Sequence, residues 1–230
     1  MREVKIGLMG GTFNPVHNGH LLLAEQAKEQ YRLDHVVFLP AGKPPHKQEK
    51  EILPDSLRLR LTRIAVCDNP DFSVSSIEFV DQKVNYTAET LEKLANCPSL
   101  LLQGNDSDAL KKLLGLPDVQ IRFYFIIGGD SLLQFASWKT PEKILSHAVI
   151  LASGRSGITN SRRRMEEEAA SLRSRFGGKI GLVELPEVAI SSTDIRKKLD
   201  CHQSVRYLVP EDVRVVLLQH MYCNQETGEK

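Results

Sequence analysis

The chain has 230 residues, enough for one good-sized hydrophobic core, so we expect one domain with a small appendage. Its formal net charge of +1 gives no reason to expect nucleic acid or an anionic membrane as a partner. The 4 cysteines lie far apart, which indicates reduced thiols of a cytoplasmic protein rather than a disulfide framework or a zinc site. We expect no signal peptide and no membrane span, because the chain opens on a predicted strand and lacks an apolar run of roughly 20 residues.

The first predicted strand, over residues 4–9, is followed by the stretch GGTFNPVHNGH at 10–20 and then by a helix. In open α/β sheets such strand-to-helix turns bind ligands. Gly10 and Gly11 let backbone N–H groups approach a ligand, and a helix start favours an anion. His17 and His20 can share one face and donate hydrogen bonds to phosphate oxygens. These features favour a phosphate site, with a plain tight turn or half of a metal site as the alternatives.

A second strand, over residues 35–40, completes a βαβ unit. The Pro- and Lys-rich segment after it leaves the strand at the sheet edge where ligands bind. A solvated loop is one interpretation of this segment, although Lys43, His46 and Lys47 can reach anions.

A helix capped by Asp55 is expected to run to about residue 67. We expect its arginines on a solvated face, with Arg58 or Arg63 able to approach the site. Short strand pieces are predicted at 72–75 and 77–80.

A further helix is predicted up to residue 96, with Thr87 as its cap. Residues 97–120 follow as an insertion that contains a short helix over 108–114. The insertion is interpreted either as a surface excursion or as part of an oligomer contact.

The apolar run at 122–127 is typical of a central parallel strand buried on both faces. It ends in a glycine turn, Gly128-Gly129-Asp130, that opens a helix. Asp130 either caps this helix or holds ribose hydroxyls, as acidic groups do in nucleotide sites. Trp138, the only tryptophan, either packs in the core or stacks on a flat heteroaromatic ring.

The last third is predicted to contain a helix from Pro141, a strand at 148–152, a flexible turn at 154–157, a helix capped by Asn160 or Ser161, and a last strand at 180–185. The fold is therefore expected to be α/β, a Rossmann-like doubly wound parallel sheet with a small C-terminal helical part.

The segment ISSTDIRKKL at 190–199 contains the second strong pattern. Ser191, Ser192 and Thr193 offer hydroxyls and N–H groups at a helix start. Arg196 lies one turn later and can meet the same anion with a planar fork of donors. Residues 205–210 then lead into a terminal helix, predicted to end near residue 222 before a frayed tail.

The stretch 10–20 resembles the signature of the nucleotidyltransferases that carry a His-x-Gly-His motif, and Ile-Ser-Ser-Thr-x-Ile-Arg resembles their second signature. The Pro-Pro-His-Lys loop, the Tyr86-Thr87 pair and the Gly-Gly-Asp-Ser…Phe-x-x-Trp pattern are similar to those of the nicotinate mononucleotide adenylyltransferases. The resemblance covers nearly the whole chain except about residues 100–116. The family most often has Asp where this chain has Asn14, which keeps the acceptor oxygen and lacks the negative charge.

The resemblance implies an enzyme of NAD biosynthesis that joins ATP and nicotinate mononucleotide into nicotinate adenine dinucleotide and pyrophosphate, without a covalent intermediate. It implies a core at 1–190 that includes the insertion, a C-terminal helical part at 191–225 that completes the ATP site, and a tail at 226–230. Open alternatives are nicotinamide mononucleotide or another phosphate acceptor, such as phosphopantetheine, and a non-catalytic nucleotide-binding regulator.

The catalytic groups implied are His17, His20 and Arg196 on the ATP phosphates, with Mg²⁺ held through the nucleotide rather than by a protein cage. The further ATP-binding residues implied are Gly10, Gly11, Thr12, Phe13, Asn14, Gly19, Gly128, Asp130, Ser191, Ser192 and Thr193. The residues implied at the pyridine nucleotide are Lys43, His46, Lys47, Thr87 and Trp138.

Overall fold

A computed structural model describes residues 2–42, 52–80, 85–105, 107–155, 159–186 and 188–227. Its strands are β1 (Arg2–Gly11), β2 (His35–Pro40), β3 (Phe72–Val74), β4 (Val119–Ile127), β5 (Ala148–Arg155) and β6 (Ile180–Leu185). Its helices are α1 (Asn18–Tyr31), α2 (Asp55–Val66), α3 (Thr87–Asn96), α4 (Asp108–Leu114), α5 (Gly129–Leu133), α6 (Pro141–His147), α7 (Thr159–Phe176), α8 (Ser192–Asp200) and α9 (Glu211–Thr227). Short 3₁₀ helices lie at Ile77–Phe79, Pro98–Leu102 and Phe135–Ser137.

The strands form one parallel sheet in the order β3-β2-β1-β4-β5-β6. The chain winds outward from β1 to β3, returns to β4 beside β1, and then winds outward to β6. The order therefore reverses between β1 and β4, and the crevice at their carboxyl ends is where such sheets bind ligands. The predicted doubly wound α/β fold is confirmed.

Alternate residues of the central strands enter two separate hydrophobic layers. In β4, Phe123 and Phe125 belong to the layer under α3, α6 and α7, whereas Tyr124 and Ile126 belong to the layer under α1, α2, α8 and α9. This burial of both faces explains the continuous apolar run of β4.

The insertion contributes to the first of these layers. Leu101 and Leu110 are fully buried. Asn105 is buried as well, and its Nδ2 donates to Ser73 Oγ in β3 at 3.0 Å. The interpretation of residues 97–120 as a surface excursion is therefore wrong, because the segment folds back onto the core.

Several predicted boundaries are also wrong. The second strand piece is a 3₁₀ turn, closed by the Phe79 N–H donating to the Ser76 carbonyl at 2.9 Å. Strand β5 continues through residues 154 and 155, where a turn was expected, and residues 156–158 lie outside the described part. Helix α7 starts at Thr159, so positions 160 and 161 lie within the helix and do not cap it.

The caps expected at Asp55 and Thr87, and the cap that was one of two alternatives for Asp130, are wrong for a common reason. Each residue already has a place in the first helical turn, whereas an N-cap needs a non-helical backbone. The N-cap residues of these helices are Pro54, Tyr86 and Gly128.

No helix among the described residues is long and apolar enough to cross a membrane.

Candidate active site

The glycine pair that precedes the phosphate motif lies at the end of β1. Gly10 and Gly11 pair with the last two residues of β2, and the Gly11 carbonyl accepts from the Ala41 N–H at 2.8 Å. A Cβ on Gly10 would lie 2.5 Å from the ring of Phe125, and one on Gly11 would lie 2.9 Å from the ring of Phe13. Close packing of aromatic rings on this backbone therefore requires glycine at both positions.

The two histidines of the motif lie face to face at the start of α1. Their ring centroids are 3.6 Å apart with an interplanar angle of 22°, which confirms that the spacing places them on one face. Nδ1 of His20 accepts from the His17 backbone N–H at 3.2 Å. A neutral His20 therefore carries its proton on Nε2. The ring of Phe13 packs against His20 at a centroid distance of 5.0 Å.

His17 is the N-cap residue of α1 and is 6% exposed. Burial lowers the pKa of its imidazole to about 4, because the charged form loses hydration. Within the described part of the chain, its Nδ1 is buried and finds no hydrogen-bond partner. The first turn of α1 contains no acidic residue, so no carboxylate there offsets the positive end of the helix dipole. The arrangement offers an anion a helix start and two imidazoles, one of them neutral at pH 7.

The second motif, distant in sequence, packs directly against this turn. Ser192 Oγ donates to the Pro15 carbonyl at 2.9 Å. Arg196 Nη1 donates to the Asn14 carbonyl at 2.8 Å. These two contacts show that the two motifs, which are predicted to line one crevice, meet in the folded chain.

The C-terminal segment secures the same helix start from another side. The Asn18 N–H donates to the Leu208 carbonyl at 2.9 Å, and Asn18 Nδ2 donates to the Tyr207 carbonyl at 2.7 Å. Residue 18 lies between the two histidines, so the segment before α9 helps to fix the positions of their backbones.

The side chain of Asn14 is 1% exposed, and its Oδ1 accepts from the Leu53 N–H at 2.9 Å. A carboxylate here would need a compensating partner to offset its loss of hydration. The neutral amide fills this position without that cost.

Helix α8 has a closed side-chain cap. Ser191 Oγ accepts from the Asp194 N–H at 3.1 Å and lies 2.7 Å from Asp194 Oδ2, to which it donates. Ser192 and Thr193 form the first turn, and Thr193 is exposed. The predicted helix start at 191–193 is confirmed.

The second glycine turn lies at the end of β4, beside β1 and β5. The Gly129 N–H donates to Ser153 Oγ of β5 at 2.8 Å. Gly128 is exposed, and a Cβ there would meet nothing within 4 Å, so this turn is open to a ligand. Asp130 is exposed in the first turn of α5.

Trp138 is half-buried and packs against Phe135 at 5.3 Å and Phe125 at 6.4 Å between ring centroids. The adjacent Lys139 places its Nζ 3.8 Å from the centroid of the Tyr86 ring. The segment that carries Trp138 therefore lies next to the start of α3, where Thr87 is the first residue. Sequence reasoning missed Lys139, because nothing in the local pattern relates it to Tyr86.

Lys43, His46 and Lys47 lie outside the described residues. Arg58 does not lie on a solvated face as expected, since its side chain is fully buried. Nothing in the local pattern distinguishes Arg58 from the other arginines of α2, because two of its partners are the carbonyls of Thr12 and Gly42, which lie in earlier segments.

Within the described ranges, no group of three or more His, Cys, Asp or Glu side chains could hold a metal ion. Half of a metal site at His17 and His20 therefore finds no completing ligands there.

Comparison with known proteins identifies the family. The family model described as cytidylyltransferase-like matches residues 8–198. Two relatives, each called "Probable nicotinate-nucleotide adenylyltransferase", are 39% identical over 216 residues in Lachnoclostridium phytofermentans and 42% identical over 214 residues in Exiguobacterium sibiricum. The alignments cover 94% and 93% of this chain and 97% and 96% of the relatives.

The fold has a counterpart among solved structures. The nicotinic acid mononucleotide adenylyltransferase of Plasmodium falciparum, complexed with NaAD, superposes with a TM-score of 0.66 at 16% identity, covering 94% of this chain and 96% of that one. Together with the identity to the bacterial relatives over almost their full length, the family model places the chain: it belongs to the nicotinate-nucleotide adenylyltransferases.

Proposed function

We propose that this protein transfers the adenylyl group of ATP to nicotinate mononucleotide, forming nicotinate adenine dinucleotide and pyrophosphate in NAD biosynthesis. The observation that carries the proposal is the junction of the two motifs. The Arg196 guanidinium donates to the Asn14 carbonyl at 2.8 Å, in the same turn that leads to the paired imidazoles of His17 and His20. Such a set of donors suits a polyphosphate.

The reaction needs little from the protein besides placement. The acceptor is a phosphate monoester with a second pKa near 6, so it is mostly dianionic at pH 7 and needs no general base. Its oxygen attacks the α-phosphorus of ATP in line, forming one P–O bond while the bond to pyrophosphate breaks. The protein must bring two polyanions together and stabilise charge on the leaving group.

His17, His20 and Arg196 are assigned to the ATP phosphates. A neutral imidazole donates one hydrogen bond, and His20 in the observed arrangement donates through Nε2. Arg196 adds permanent charge as pyrophosphate leaves. Further contacts to ATP are assigned to Gly10, Gly11, Thr12, Phe13, Asn14, Gly19, Gly128, Asp130, Ser191, Ser192 and Thr193.

The pyridine nucleotide is assigned to the other part of the crevice. Trp138 and Thr87 would frame the pyridine ring, supported by the Lys139 contact that joins their segments. Lys43, His46 and Lys47 would bind phosphate. Asp130, at the open glycine turn, would hold the adenosine ribose.

Nucleotidyltransferases generally use a divalent metal ion, and we assign Mg²⁺ to this role. Mg²⁺ usually keeps several waters and binds substrate phosphates rather than an all-protein cage. The donor set fits that mode, since the described residues provide cationic and N–H donors for phosphate and no cluster of three metal ligands. When bound, the ion would neutralise charge on the phosphates.

The proposal extends to organisation and location. The core at 1–190 would be completed by the part at 191–225, a division supported by the contacts of Arg196 and Ser192 with the first motif. A cytoplasmic location is supported by the cysteines, because Cys67, Cys97 and Cys201 are exposed and form no disulfide within the described part of the chain.

The test is pyrophosphate release with ATP and Mg²⁺, offering nicotinate and nicotinamide mononucleotides in parallel. We expect kcat/KM to favour the acid form by about 100-fold or more, because the amide lacks the negative charge for which a carboxylate-selective site is built. Trp138→Ala should raise KM for the mononucleotide, with Trp138→Phe as the control that keeps an aromatic ring. Equal use of the two mononucleotides would change the assigned acceptor. ATP binding without pyrophosphate release would favour the alternative of a non-catalytic nucleotide-binding regulator.

A further inference from the structure

Arg58 differs from the other arginines of α2. Arg60 and Arg63 are exposed, whereas the Arg58 side chain is 0% exposed. A buried guanidinium is costly unless its donors are satisfied. Its position therefore needs a reason beyond solubility of the helix.

Its donors are used mainly on backbone carbonyls of three separate segments. Nη1 donates to the Thr12 carbonyl at 2.7 Å, Nη2 to the Gly42 carbonyl at 3.1 Å and Nε to the Leu53 carbonyl at 3.2 Å. Asp55, about half exposed, accepts from Nη2 as well. The planar fork of arginine can meet several carbonyls at once, which the single ammonium of lysine cannot do in the same geometry.

Two neighbours, one aromatic and one acidic, interact favourably with the charge of the Arg58 guanidinium. The ring of Phe79 lies 5.5 Å from the guanidinium carbon. The carboxyl of Glu78 interacts electrostatically with Arg58 and accepts from Thr90 Oγ1 at 3.1 Å.

The three carbonyls belong to the parts of the chain that the reaction must align. Thr12 begins the turn that leads to His17. Gly42 and Leu53 lie on either side of the segment that follows β2. Leu53 also donates its N–H to Asn14 Oδ1 at 2.9 Å, and the Asn14 carbonyl accepts from Arg196. A continuous path of hydrogen bonds therefore runs from α2 through the first motif to α8.

We propose that Arg58 is a positioning residue for adenylyl transfer, which holds the phosphate-binding turn after β1 in fixed register with both flanks of the segment after β2. The inference rests on the proposed function and deepens it. Two substrates held on separate loops react only if the loops keep their relative placement, and misplacement by about 1 Å can cost about 100-fold in rate.

The test compares Arg58→Lys with Arg63→Lys. Arg63 lies on the same helix, is exposed and donates to the Gly104 carbonyl at 2.7 Å, so it is a matched control. With both substrates saturating, we expect Arg58→Lys to lower kcat by about 10-fold or more, and Arg63→Lys to stay within about twofold. A merely structural role predicts a lower Tm with unchanged kcat per folded molecule, and that result would overturn the proposal.

If Arg58→Lys does not fold, Asp55→Asn provides the test, because Asp55 is about half exposed and orients the guanidinium. We expect kcat to fall by about threefold, and an unchanged kcat would overturn the proposal.

Failure of the proposed function is distinguishable from failure of this inference. If the wild type releases pyrophosphate with another acceptor, the same comparison is made with that acceptor. If it uses none, ATP affinity measured by calorimetry takes its place. Arg58→Lys should then weaken ATP binding more than Arg63→Lys, since Thr12 belongs to the ATP turn, and equal affinities would overturn the role.

Discussion

Helices α1 and α8 both begin at the crevice, and the two starts are built differently. Helix α1 begins at His17 with no acidic residue in its first turn and with a buried neutral imidazole. Helix α8 begins at Ser191, whose hydroxyl accepts from the Asp194 N–H, and Asp194 adds a carboxylate to the first turn.

The difference separates two ways of handling a polyphosphate. At α8 the cap is closed and Asp194 opposes the positive end of the dipole, so this helix acts through the side chains of Ser192 and Arg196. At α1 no first-turn carboxylate opposes the dipole, and the imidazoles stand beside it. Helix α1 therefore provides a helix start and imidazoles that can bind an anion. Helix α8 provides the permanent charge of Arg196 and two hydrogen bonds that hold the first motif in place.

The largest expected effect tests the α1 half of this contrast. His20→Asn keeps an oxygen that can accept from the His17 N–H, so the helix start is retained, while the Nε2 donor is lost. We expect kcat for pyrophosphate release to fall by about 100-fold or more, the usual loss for one donor to developing charge.

His202→Asn is the matched control. His202 is exposed and has φ 54°, a left-handed conformation that Asn tolerates. Its kcat should equal that of the wild type. A kcat for His20→Asn within threefold of the wild type, roughly 0.7 kcal/mol, would remove His20 from the mechanism.

A change of pH also tests the start of α1, through the buried imidazole of His17. Because burial lowers the pKa of His17 from 6.5 to about 4, the unfolded chain binds more protons between these values. Well above pH 6.5 the imidazole is neutral in both the folded and the unfolded state, so His17 contributes nothing to the pH dependence there. As the pH falls below 6.5, the free energy of unfolding decreases, by about 2 kcal/mol for this group between pH 6.5 and 5.

Urea denaturation at pH 5 and pH 7 measures the contribution of His17 to the free energy of unfolding. His17→Asn removes the titrating ring and places a good N-cap residue there. Between pH 7 and pH 5, the free energy of unfolding of this variant should therefore fall by about 2 kcal/mol less than that of the wild type. His35, buried with a pKa also lowered to about 4, and Glu78, whose pKa burial raises to about 7, are shared by both proteins and cancel. Parallel losses in the two proteins would show that His17 is not buried as a neutral ring.

Much of the fold could be predicted, because the signals are local. Strand β2 was placed at its observed bounds, His35–Pro40, since a run of apolar residues reports burial on both faces. The helix start at 191–193 was likewise readable from its hydroxyls. The caps at Asp55 and Thr87 were wrong because an N-cap is defined by backbone dihedrals, which residue type only biases.

The rest depended on contacts between distant segments. Arg58 looked like its exposed neighbours because two of the carbonyls that it satisfies come from Thr12 and Gly42, and tertiary packing brings these to the helix. The hydrogen bond from the Leu53 N–H to the Asn14 side chain could not be predicted for the same reason. Local pattern reports periodicity and propensity, not which loop carbonyls a long side chain will meet.

The smallest expected effect tests the α8 half. Asp194→Asn keeps an amide that can accept from the Ser191 hydroxyl and removes the negative charge from the first turn. Losing the favourable interaction with the dipole should lower the free energy of unfolding by about 0.5 kcal/mol. Removing a carboxylate beside a polyanion site should also lower KM for ATP by about twofold, and added salt should abolish that gain.

Asp200→Asn controls for charge alone, since Asp200 is the last residue of α8 and is exposed. At that end the dipole is negative, so removing the carboxylate should raise the free energy of unfolding by about 0.5 kcal/mol and leave KM for ATP unchanged. Opposite signs in stability from the two substitutions would establish that the dipole of α8 is already offset at its start by Asp194. Equal effects on stability would mean that the Asp194 carboxylate does not interact with the dipole of α8. The starts of α1 and α8 would then differ only in their side chains.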